Sequence, residues 1–314
     1  MQRGSGAATQ CASAVLMVRP GNFGYNAETA LTNRFQVPGS SGDVAALARA
    51  EFDAFAAALA GEGIDVCVAE DSDEPRKPDA VFPNNWVSFH ADGTVVLYPM
   101  QAASRRAERR AEIVEAVVRD TGYVVRRTVD LTHHERSGRF LEGTGSLVLD
   151  HVARVAYACR SPRTDETVAG EWARELGFEL VLFSARDRRG EPIYHTNVVM
   201  SIATRMAVVA LDNVDAADRA RLEARLGASR EVLAIDDAEM GAFAGNVLEL
   251  GSWDEYLGDM RILVMSATAQ RGLAARKYAR LYASVDAVLA APVDVIERHG
   301  GGSVRCMLAE VFLP

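Results

Sequence analysis

The most constraining feature of the sequence is a repeated pattern of secondary structure. Apolar residues recur at helical spacing in five stretches, and a short β-branched run typical of a strand follows each stretch within a few residues. The predicted helices are residues 43–59, 104–118, 165–176, 216–226 and 269–281, of which the first begins at the N-cap candidate Asp43. The predicted strands that follow them are residues 64–68, 123–125, 179–183, 231–235 and 285–289.

Pairs of apolar runs joined by turns lie between these strands and the next helix. The Asp92-Gly93 turn is typical of a β-hairpin, and the other turns carry a weaker version of the same signal. The predicted pairs are 86–89 with 94–98, 146–149 with 154–158, 198–202 with 206–210, and 246–250 with 261–265.

The repeating unit is therefore strand, turn, strand, helix, strand. Four copies begin near residues 84, 145, 197 and 245, and a fifth is assembled from residues 304–312, 12–18, 43–59 and 64–68. A repeat of roughly 50–60 residues indicates a closed, propeller-like ring of α/β units. Strands from both ends of the chain would pair and so remove the open edge of the sheet. We expect one domain over residues 1–314; the alternative is an ordinary α/β sandwich with hairpins.

Composition excludes several classes of protein. The chain has 34 basic and 43 acidic side chains and a net charge of −9, without the basic runs of a nucleic-acid-binding protein. No apolar run is long enough to span a membrane, and the first residues lack a signal-type apolar core. The four cysteines have no CxxC spacing, which argues against a zinc ribbon and a disulfide framework. We expect a cytoplasmic enzyme.

Polar residues stand out at one place in each repeat, just before or at its first strand. These are Asn84-Asn85, Glu142, His195 with Asn197, Asn246 and Arg305-Cys306. In a ring, equivalent positions converge at one end of the axis, so Glu142, His195 and Cys306 would meet. A cysteine nucleophile needs a proton-transfer partner, and a carboxylate handles protons on substrate and water.

Each of these residues also has a structural interpretation. Taken alone, Cys306 could be a small residue buried in the core, and His195 could be a histidine of a loop or of the core. Glu142 could be an acidic residue in a turn. The three glycines at 300–302 favour a ligand site beside Cys306, because they allow close backbone approach. His133-His134 suggests a metal, but no third ligand has convincing spacing, so no metal site is predicted.

The composition of one long segment predicts a loop that closes over the site. Residues 19–41 are rich in Gly, Asn and Pro and fit neither helix nor strand. Long loops in compact domains are usually binding loops or lids, so we expect this segment to close over the substrate.

Four motifs together resemble the superfamily of amidinotransferases, arginine deiminases and dimethylarginine dimethylaminohydrolases, and more narrowly its citrulline-utilisation hydrolases. The motifs are FPNNW at 82–86, LEGTGS at 141–146, YHTNVVMS at 194–201 and GGGSVRCM at 300–307. The resemblance spans nearly the whole chain. It implies a five-bladed α/β propeller with pseudo-fivefold symmetry, in agreement with the repeat.

The resemblance also implies roles for matching residues. Cys306 would attack the central guanidino or ureido carbon, His195 would act as general acid and base, and Glu142 would orient substrate nitrogens. Asp79 and Phe82 resemble substrate-lining positions. Two arginines resemble those that hold the substrate α-carboxylate, which a planar guanidinium suits; they are Arg105 and Arg163.

Departures from the pattern concern charge. Asn84, Asn85 and Asn197 occupy positions where relatives keep carboxylates that bind a guanidinium. Amides carry no charge and donate as well as accept hydrogen bonds, so they suit a neutral ureido group better. Arginine remains open as a substrate because Glu142 is retained.

These features predict a cofactor-free, cysteine-dependent hydrolase of a C–N bond in a ureido or guanidino amino acid. The first candidate reaction converts citrulline to ornithine, ammonia and carbon dioxide. The alternatives are an arginine deiminase, a dimethylargininase, an arginine dihydrolase, an amidinotransferase, or a non-catalytic amino-acid-binding propeller. The expected partner is a small amino-acid substrate, without nucleic acid or membrane; the sequence allows a homo-oligomer without specifying it.

Overall fold

Five separate three-stranded sheets organise the protein. A computed structural model describes residues 9–38 and 44–314, and within these residues the chain has an α/β fold. The strands are β1 (Ala14–Arg19), β2 (Asp65–Glu70), β3 (Val87–Phe89), β4 (Thr94–Leu97), β5 (Arg127–Asp130), β6 (Leu147–Asp150), β7 (Val155–Cys159), β8 (Glu179–Phe183), β9 (Met200–Ile202), β10 (Met206–Val209), β11 (Glu231–Ala234), β12 (Leu248–Asp254), β13 (Gly258–Ser266), β14 (Ala287–Ala291) and β15 (Ala309–Glu310).

All five sheets share one topology. Their strand orders are β15-β1-β2, β3-β4-β5, β6-β7-β8, β9-β10-β11 and β12-β13-β14. In each sheet the middle strand pairs antiparallel with the first strand and parallel with the third. This is the predicted repeat, including the copy built from both ends of the chain. None of the sheets in the described ranges closes on itself, and the arrangement of the five around a common axis stays a prediction.

Helices connect the middle strand of each sheet to its third strand, because a parallel pair needs a long crossover. The α-helices are α1 (Ala27–Ala30), α2 (Val44–Gly61), α3 (Ala111–Thr121), α4 (Gly143–Ser146), α5 (Glu166–Leu176), α6 (Thr196–Val199), α7 (Ala216–Gly227), α8 (Asp237–Gly241), α9 (Ala267–Gly272), α10 (Ala275–Ala283) and α11 (Asp294–Gly300). The crossovers are α2, α3, α5, α7 and the α9–α10 pair. Among the helices described, none has the length and apolarity that crossing a bilayer requires.

Helix α5 shows how a crossover packs. Asp165 caps it by accepting the backbone N–H groups of Thr167 and Val168. Its buried face includes Val168, Trp172 and Leu176, spaced four residues apart. The fully buried Trp172 donates its indole N–H to the Tyr98 hydroxyl at 2.8 Å. Truncation of such an aromatic residue to alanine costs about 3–5 kcal/mol.

Two predicted helices are each divided into two segments. In place of the helix over 104–118, a 3₁₀ turn (Ala103–Glu108) precedes α3, because Arg105 bonds to Glu108 inside the turn. In place of the helix over 269–281, α9 and α10 are separated at Leu273 and Ala274, which have extended backbones. The N-cap candidate Asp43 lies outside the described residues.

The strand predicted at residues 123–125 is wrong. The third strand of its sheet is β5, which pairs Arg127 with Thr94. The apolar run before it contacts the end of the chain instead, since Val124 N–H donates to the Pro314 carbonyl at 3.0 Å. A β-branched run therefore marks the approach to this strand rather than the strand itself.

Candidate active site

A short helical turn leads into the first strand of four sheets. These turns are Pro83–Asn85, α4, α6 and Val304–Met307, and an irregular turn at Gly245 and Asn246 takes the same place before β12. Asn84 and Asn85 lie in the first turn, Glu142 and His195 directly precede α4 and α6, and Cys306 lies in the last. The first strands consequently start later than the sequence pattern predicts. The polar residues of the five repeats do come together, as the contacts below show.

Glu142 is completely buried and binds partners on both carboxylate oxygens. Oε1 accepts the backbone N–H of Gln101 at 3.0 Å. Oε2 accepts from His195 Nε2 at 2.9 Å and from Arg163 at 3.4 Å, and lies 4.0 Å from Arg105. Burial alone would raise the pKa of Glu142, but the Arg163 charge, His195 and Arg105 together hold it well below its ordinary value. Glu142 is therefore ionised and already paired with cations.

His195 is held in one orientation by this carboxylate. Because an ionised carboxylate only accepts hydrogen bonds, Nε2 carries the proton and Nδ1 is left as the basic nitrogen. The Tyr194 ring packs against the imidazole with centroids 4.7 Å apart. Burial lowers the pKa of His195 to about 4, although Glu142 opposes this shift. The imidazole is neutral at neutral pH and can accept a proton.

Cys306 is buried, with 4 % of its surface exposed. Its Sγ accepts from two side-chain amides, those of Asn246 at 3.3 Å and Asn197 at 3.5 Å. The backbone N–H of Cys306 donates to the Ser303 carbonyl at 2.9 Å, which fixes the turn after the glycines. The thiol is thus rigidly positioned next to amide donors.

A small cavity is lined by both the thiol and the imidazole. Its lining residues are Thr29, Asn33, Gln36, Asp79, Phe82, Asn85, Arg105, Arg163, Tyr194, His195, Gly300, Gly301, Gly302 and Cys306. The Phe82 ring packs against the glycines: a Cβ at Gly300 would lie 2.7 Å from it and one at Gly302 3.0 Å. Of the predicted site residues, Glu142, Asn84 and Asn197 do not line the cavity.

Asp79 presents a free carboxylate oxygen. Oδ2 accepts from Asn26 at 2.8 Å and Thr29 at 3.0 Å, whereas Oδ1 is buried without a partner. Burial raises the pKa of Asp79, although the Arg105 charge and the Asn26 bond oppose this effect. An unpaired buried oxygen in a cavity wall indicates a ligand donor at this point.

The two predicted arginines border the cavity but already have protein partners. Arg105 binds Glu108 through Nε and Nη2, at 2.9 and 2.8 Å, and binds the Asn85 side-chain oxygen at 2.7 Å. Arg163 donates to Thr32 Oγ1 and the Thr29 carbonyl as well as to Glu142. A substrate carboxylate would have to replace some of these contacts.

The three predicted asparagines differ in their surroundings. Asn85 lines the cavity and keeps an unpartnered amide nitrogen. Asn84 is fully buried and neither of its side-chain polar atoms has a partner. Asn197 contacts Cys306 through its amide nitrogen, and its buried oxygen is unpartnered.

Gly145 explains part of the LEGTGS motif. A Cβ at this position would lie 2.5 Å from Asn85 Nδ2 and 2.8 Å from the His195 ring. No side chain fits there without displacing the imidazole. The motif therefore supplies both the carboxylate of Glu142 and the space for its histidine partner.

The segment at residues 19–38 covers the cavity, and residues 39–41 of the predicted lid lie outside the described residues. Asn33 donates to the Gly301 carbonyl at 3.1 Å and Gln36 to the Gly300 carbonyl at 3.0 Å. Gly301 has a left-handed backbone (φ 64°), and a Cβ there would collide with Asn33 and Gln36. The segment is thus hydrogen-bonded directly to the glycines that precede Cys306 in the chain.

Several residues at the site are not among the site residues predicted from the sequence, and they include Tyr194, Glu108 and Asn246. Tyr194 donates its hydroxyl to the Gly301 carbonyl at 2.7 Å. Burial raises the pKa of Glu108 to about 7 even though Arg105 opposes it. Asn246 stands at the same place in its repeat as the other polar residues, which was a usable signal. Glu108 had only its three-residue spacing from Arg105.

The His133-His134 pair has a third neighbour that spacing does not reveal. His134 Nε2 lies 2.8 Å from Glu171 on α5, and one nitrogen or oxygen atom of each of the three side chains lies within 4.8 Å of the others. The cluster lies apart from the residues that line the cavity.

A comparison with known families identifies the relatives of this chain. The sequence model of the family described as N,N dimethylarginine dimethylhydrolase, eukaryotic, matches residues 19–313. The chain belongs to this family. The predicted membership of the guanidino-modifying superfamily is therefore confirmed, and the family is described as one of hydrolases that act on a non-peptide C–N bond. No curated protein gives a significant match.

Solved structures share the fold at low sequence identity. ArgZ, an arginine dihydrolase from the ornithine-ammonia cycle in Cyanobacteria, is 18 % identical with a TM-score of 0.72; the match covers 96 % of this chain but only 41 % of ArgZ. Its substrate-bound N-terminal domain, a cysteine-to-serine variant, gives 18 % and 0.71, covering 95 % and 97 % of the two chains. A dimethylarginine dimethylaminohydrolase variant in an adduct with S-methyl-L-thiocitrulline gives 18 % and 0.62, covering 95 % and 98 %.

Proposed function

We propose that this protein hydrolyses the ureido group of citrulline and releases ornithine, ammonia and carbon dioxide. The observation that carries the proposal is that Cys306 and His195 border one cavity while Glu142 fixes the imidazole from behind. Nucleophile, proton-transfer group and orienting carboxylate are the parts that covalent hydrolysis needs.

The chemistry consumes one water. Cys306 Sγ attacks the ureido carbon, and the thiol proton passes through neutral His195 to the departing ammonia. The product of this step is an S-thiocarbamate, in which Sγ is joined to the carbonyl carbon that remains on the ornithine nitrogen. Water, deprotonated by His195, then attacks the same carbon and displaces the thiolate. The resulting carbamate loses carbon dioxide and leaves ornithine.

Charge at the reacting end favours a neutral group over a guanidinium. Glu142 is already neutralised by Arg163 at 3.4 Å, and Arg105 lies 4.0 Å away. The remaining groups at this end include the uncharged Asn85 and His195. A guanidinium would meet Arg105 and Arg163. The free oxygen of Asp79 would already be taken by the α-ammonium group of the substrate, and a buried cation with too few partners is costly.

The other end of the cavity suits an amino acid. The unpartnered Oδ1 of Asp79 offers an acceptor for an α-ammonium group. Arg163 offers a guanidinium for the α-carboxylate once its bonds to Thr32 and Thr29 are exchanged. These roles keep the substrate zwitterion paired at both charges.

An arginine dihydrolase is the second candidate. The unpaired carboxylate of Asp79 favours it, because that group adds a negative charge to the cavity wall and a cationic substrate would compensate it. A deiminase or dimethylargininase would use the same three residues, and an amidinotransferase would need an amine acceptor in place of water.

A substrate screen tests the proposal. Citrulline, arginine, methylarginines and agmatine are incubated with the enzyme, and ammonia and the amino-acid product are measured. Ornithine released from citrulline, without citrulline accumulating from arginine, is the expected result. Citrulline formed from arginine and not consumed would overturn the ureidase proposal in favour of a deiminase.

The architecture proposed with this function is a single five-bladed α/β propeller over residues 1–314. The common topology of the five sheets supports it, as does the convergence of one polar position from each repeat. A cytoplasmic location stays a prediction, in keeping with the absence of a disulfide among the described cysteines, which are Cys11, Cys67, Cys159 and Cys306.

A further inference from the structure

Two buried asparagines flank the sulfur of Cys306. Asn246 Nδ2 lies 3.3 Å from Sγ and Asn197 Nδ2 lies 3.5 Å from it. Asn246 is completely buried and Asn197 is nearly so. In the described part of the chain, the hydrogen bonds that the Cys306 side chain accepts come from these two amides. In its protonated form the thiol also donates a longer bond, of 3.7 Å, to the side-chain oxygen of Asn246.

The orientation of the Asn246 amide is fixed by its other bond. Its Nδ2 also donates to the backbone carbonyl of Asn197 at 3.0 Å. A carbonyl can only accept, so the NH₂ group must face this side. One N–H is used by the carbonyl and the second points to the sulfur. The two asparagines therefore form one unit, held together across 49 residues of sequence.

From this geometry we propose that Asn246 and Asn197 stabilise the thiolate form of Cys306. N–H donors form stronger bonds to an anion than to a neutral thiol, so the pair favours loss of the proton. During turnover the proton passes from Cys306 to His195 as Sγ attacks. In the substrate-free alkylation experiment below, the same proton is lost to solvent. This inference rests on the proposed function, because it takes Cys306 as the nucleophile.

A neutral substrate makes such a device necessary. A guanidinium next to the thiol would itself favour the thiolate through its positive charge, whereas a ureido group brings none. The charged and titratable groups around the cavity are Asp79, Arg105, Arg163, Tyr194 and His195, with Glu142 behind His195. Asp79 and Glu142 offset the two arginines, and His195 is neutral. The amide pair is the part of the site that acts on sulfur directly.

Alkylation measures the thiolate without any substrate. Cys306 modification by iodoacetamide is followed by peptide mass spectrometry between pH 5 and 10 in the wild type and in Asn246→Ala, Asn246→Asp and Asn197→Ala. We expect each alanine variant to lower the rate at pH 7 by about tenfold and to move the pH midpoint upward. Asn246→Asp should move it further, because a carboxylate repels the thiolate. Asn213→Ala, which removes a buried asparagine far from the sulfur, is the matched control and should leave the midpoint in place.

Unchanged midpoints in Asn246→Ala and Asn197→Ala would overturn the inference, provided that thermal unfolding shows both variants folded. If Asn246→Ala does not fold, Asn246→Ser and Asn197→Ala supply the same comparison. A shifted midpoint supports the inference even if the wild type hydrolyses no citrulline, so the two proposals fail separately.

Discussion

His195 Nε2 lies 2.9 Å from Glu142 Oε2, and both side chains are buried. The carboxylate fixes the tautomer and the ring plane, so the basic Nδ1 is the nitrogen available for proton transfer. Because Glu142 is also paired with Arg163, it orients the imidazole without itself needing a proton. The geometry separates the group that carries protons from the group that holds it in place.

Replacement of Glu142 by glutamine should lower kcat by roughly a hundredfold or more, because the imidazole loses its fixed tautomer and the Arg163 charge loses its partner. Ammonia release at saturating substrate measures the effect. The control is Glu171→Gln, which breaks a glutamate–histidine contact of 2.8 Å elsewhere. A Glu142→Gln enzyme within a few-fold of the wild type would contradict the assignment.

The titration of His195 should lack a midpoint near pH 6.5. Burial lowers the pKa of His195 to about 4, so its neutral form is present at every pH above that value and is lost only as the pH falls through it. We expect an NMR titration of the His195 imidazole in the Cys306→Ser protein, in which thiol ionisation is removed, to have its midpoint near pH 4, unless the fold fails first. A midpoint near pH 6.5, with the fold intact, would show that His195 titrates normally.

Cys306→Ser should lower kcat at least about a thousandfold, because a hydroxyl lacks the thiolate's nucleophilicity. The midpoint temperature of thermal unfolding should stay nearly unchanged. Cys67→Ser is the control and should stay active. In labelling, Cys306 should react with an electrophilic substrate analogue, whereas burial raises the pKa of Cys159 to about 12 and keeps that thiol inert. Label found only on other cysteines would contradict the assignment of Cys306 as the nucleophile.

Asn85→Asp should shift the ratio of kcat/KM toward arginine by about tenfold, because it adds a carboxylate to the cavity wall. Arg105, 2.7 Å from the Asn85 oxygen, will absorb part of this charge. Asn85→Ala removes the amide without adding charge and should lower both activities without favouring arginine. A ratio that stays constant in the aspartate variant would show that Asn85 does not set the charge preference.

Saturating ligand should slow tryptic cleavage after Arg34, an exposed residue in the segment over the cavity. Asn33→Ala should speed cleavage of the free enzyme, because it breaks the bond from this segment to Gly301. The rate of cleavage after Arg221, an exposed arginine of α7, serves as an internal control. Equal rates at Arg34 with and without ligand would contradict the closing role.

The repeat was readable from sequence because its helices are amphipathic and its strands are separated by clear turns. The residues at which the first strands begin could not be predicted in the same way. Apolar runs such as Val198 and Val199 form a helical turn before β9 instead of part of the strand. Residue type and position in the repeat made Glu142, His195 and Cys306 candidates. The structure brings Glu142 to His195, and both His195 and Cys306 to one cavity. Residue type did not show that the Arg105 guanidinium is hydrogen-bonded to Glu108. That bond depends on a buried turn that helix propensity does not specify.

The contacts that complete the site are distant in sequence: 53 residues separate Glu142 from His195, and 109 separate Asn197 from Cys306. Contacts of such range form late in folding, because closing long loops costs entropy before any contact is gained. During synthesis, the nucleophile is added after every group that is to act with it. Partly made chains therefore lack Cys306, and the site becomes complete when β15 pairs with β1 in the last sheet.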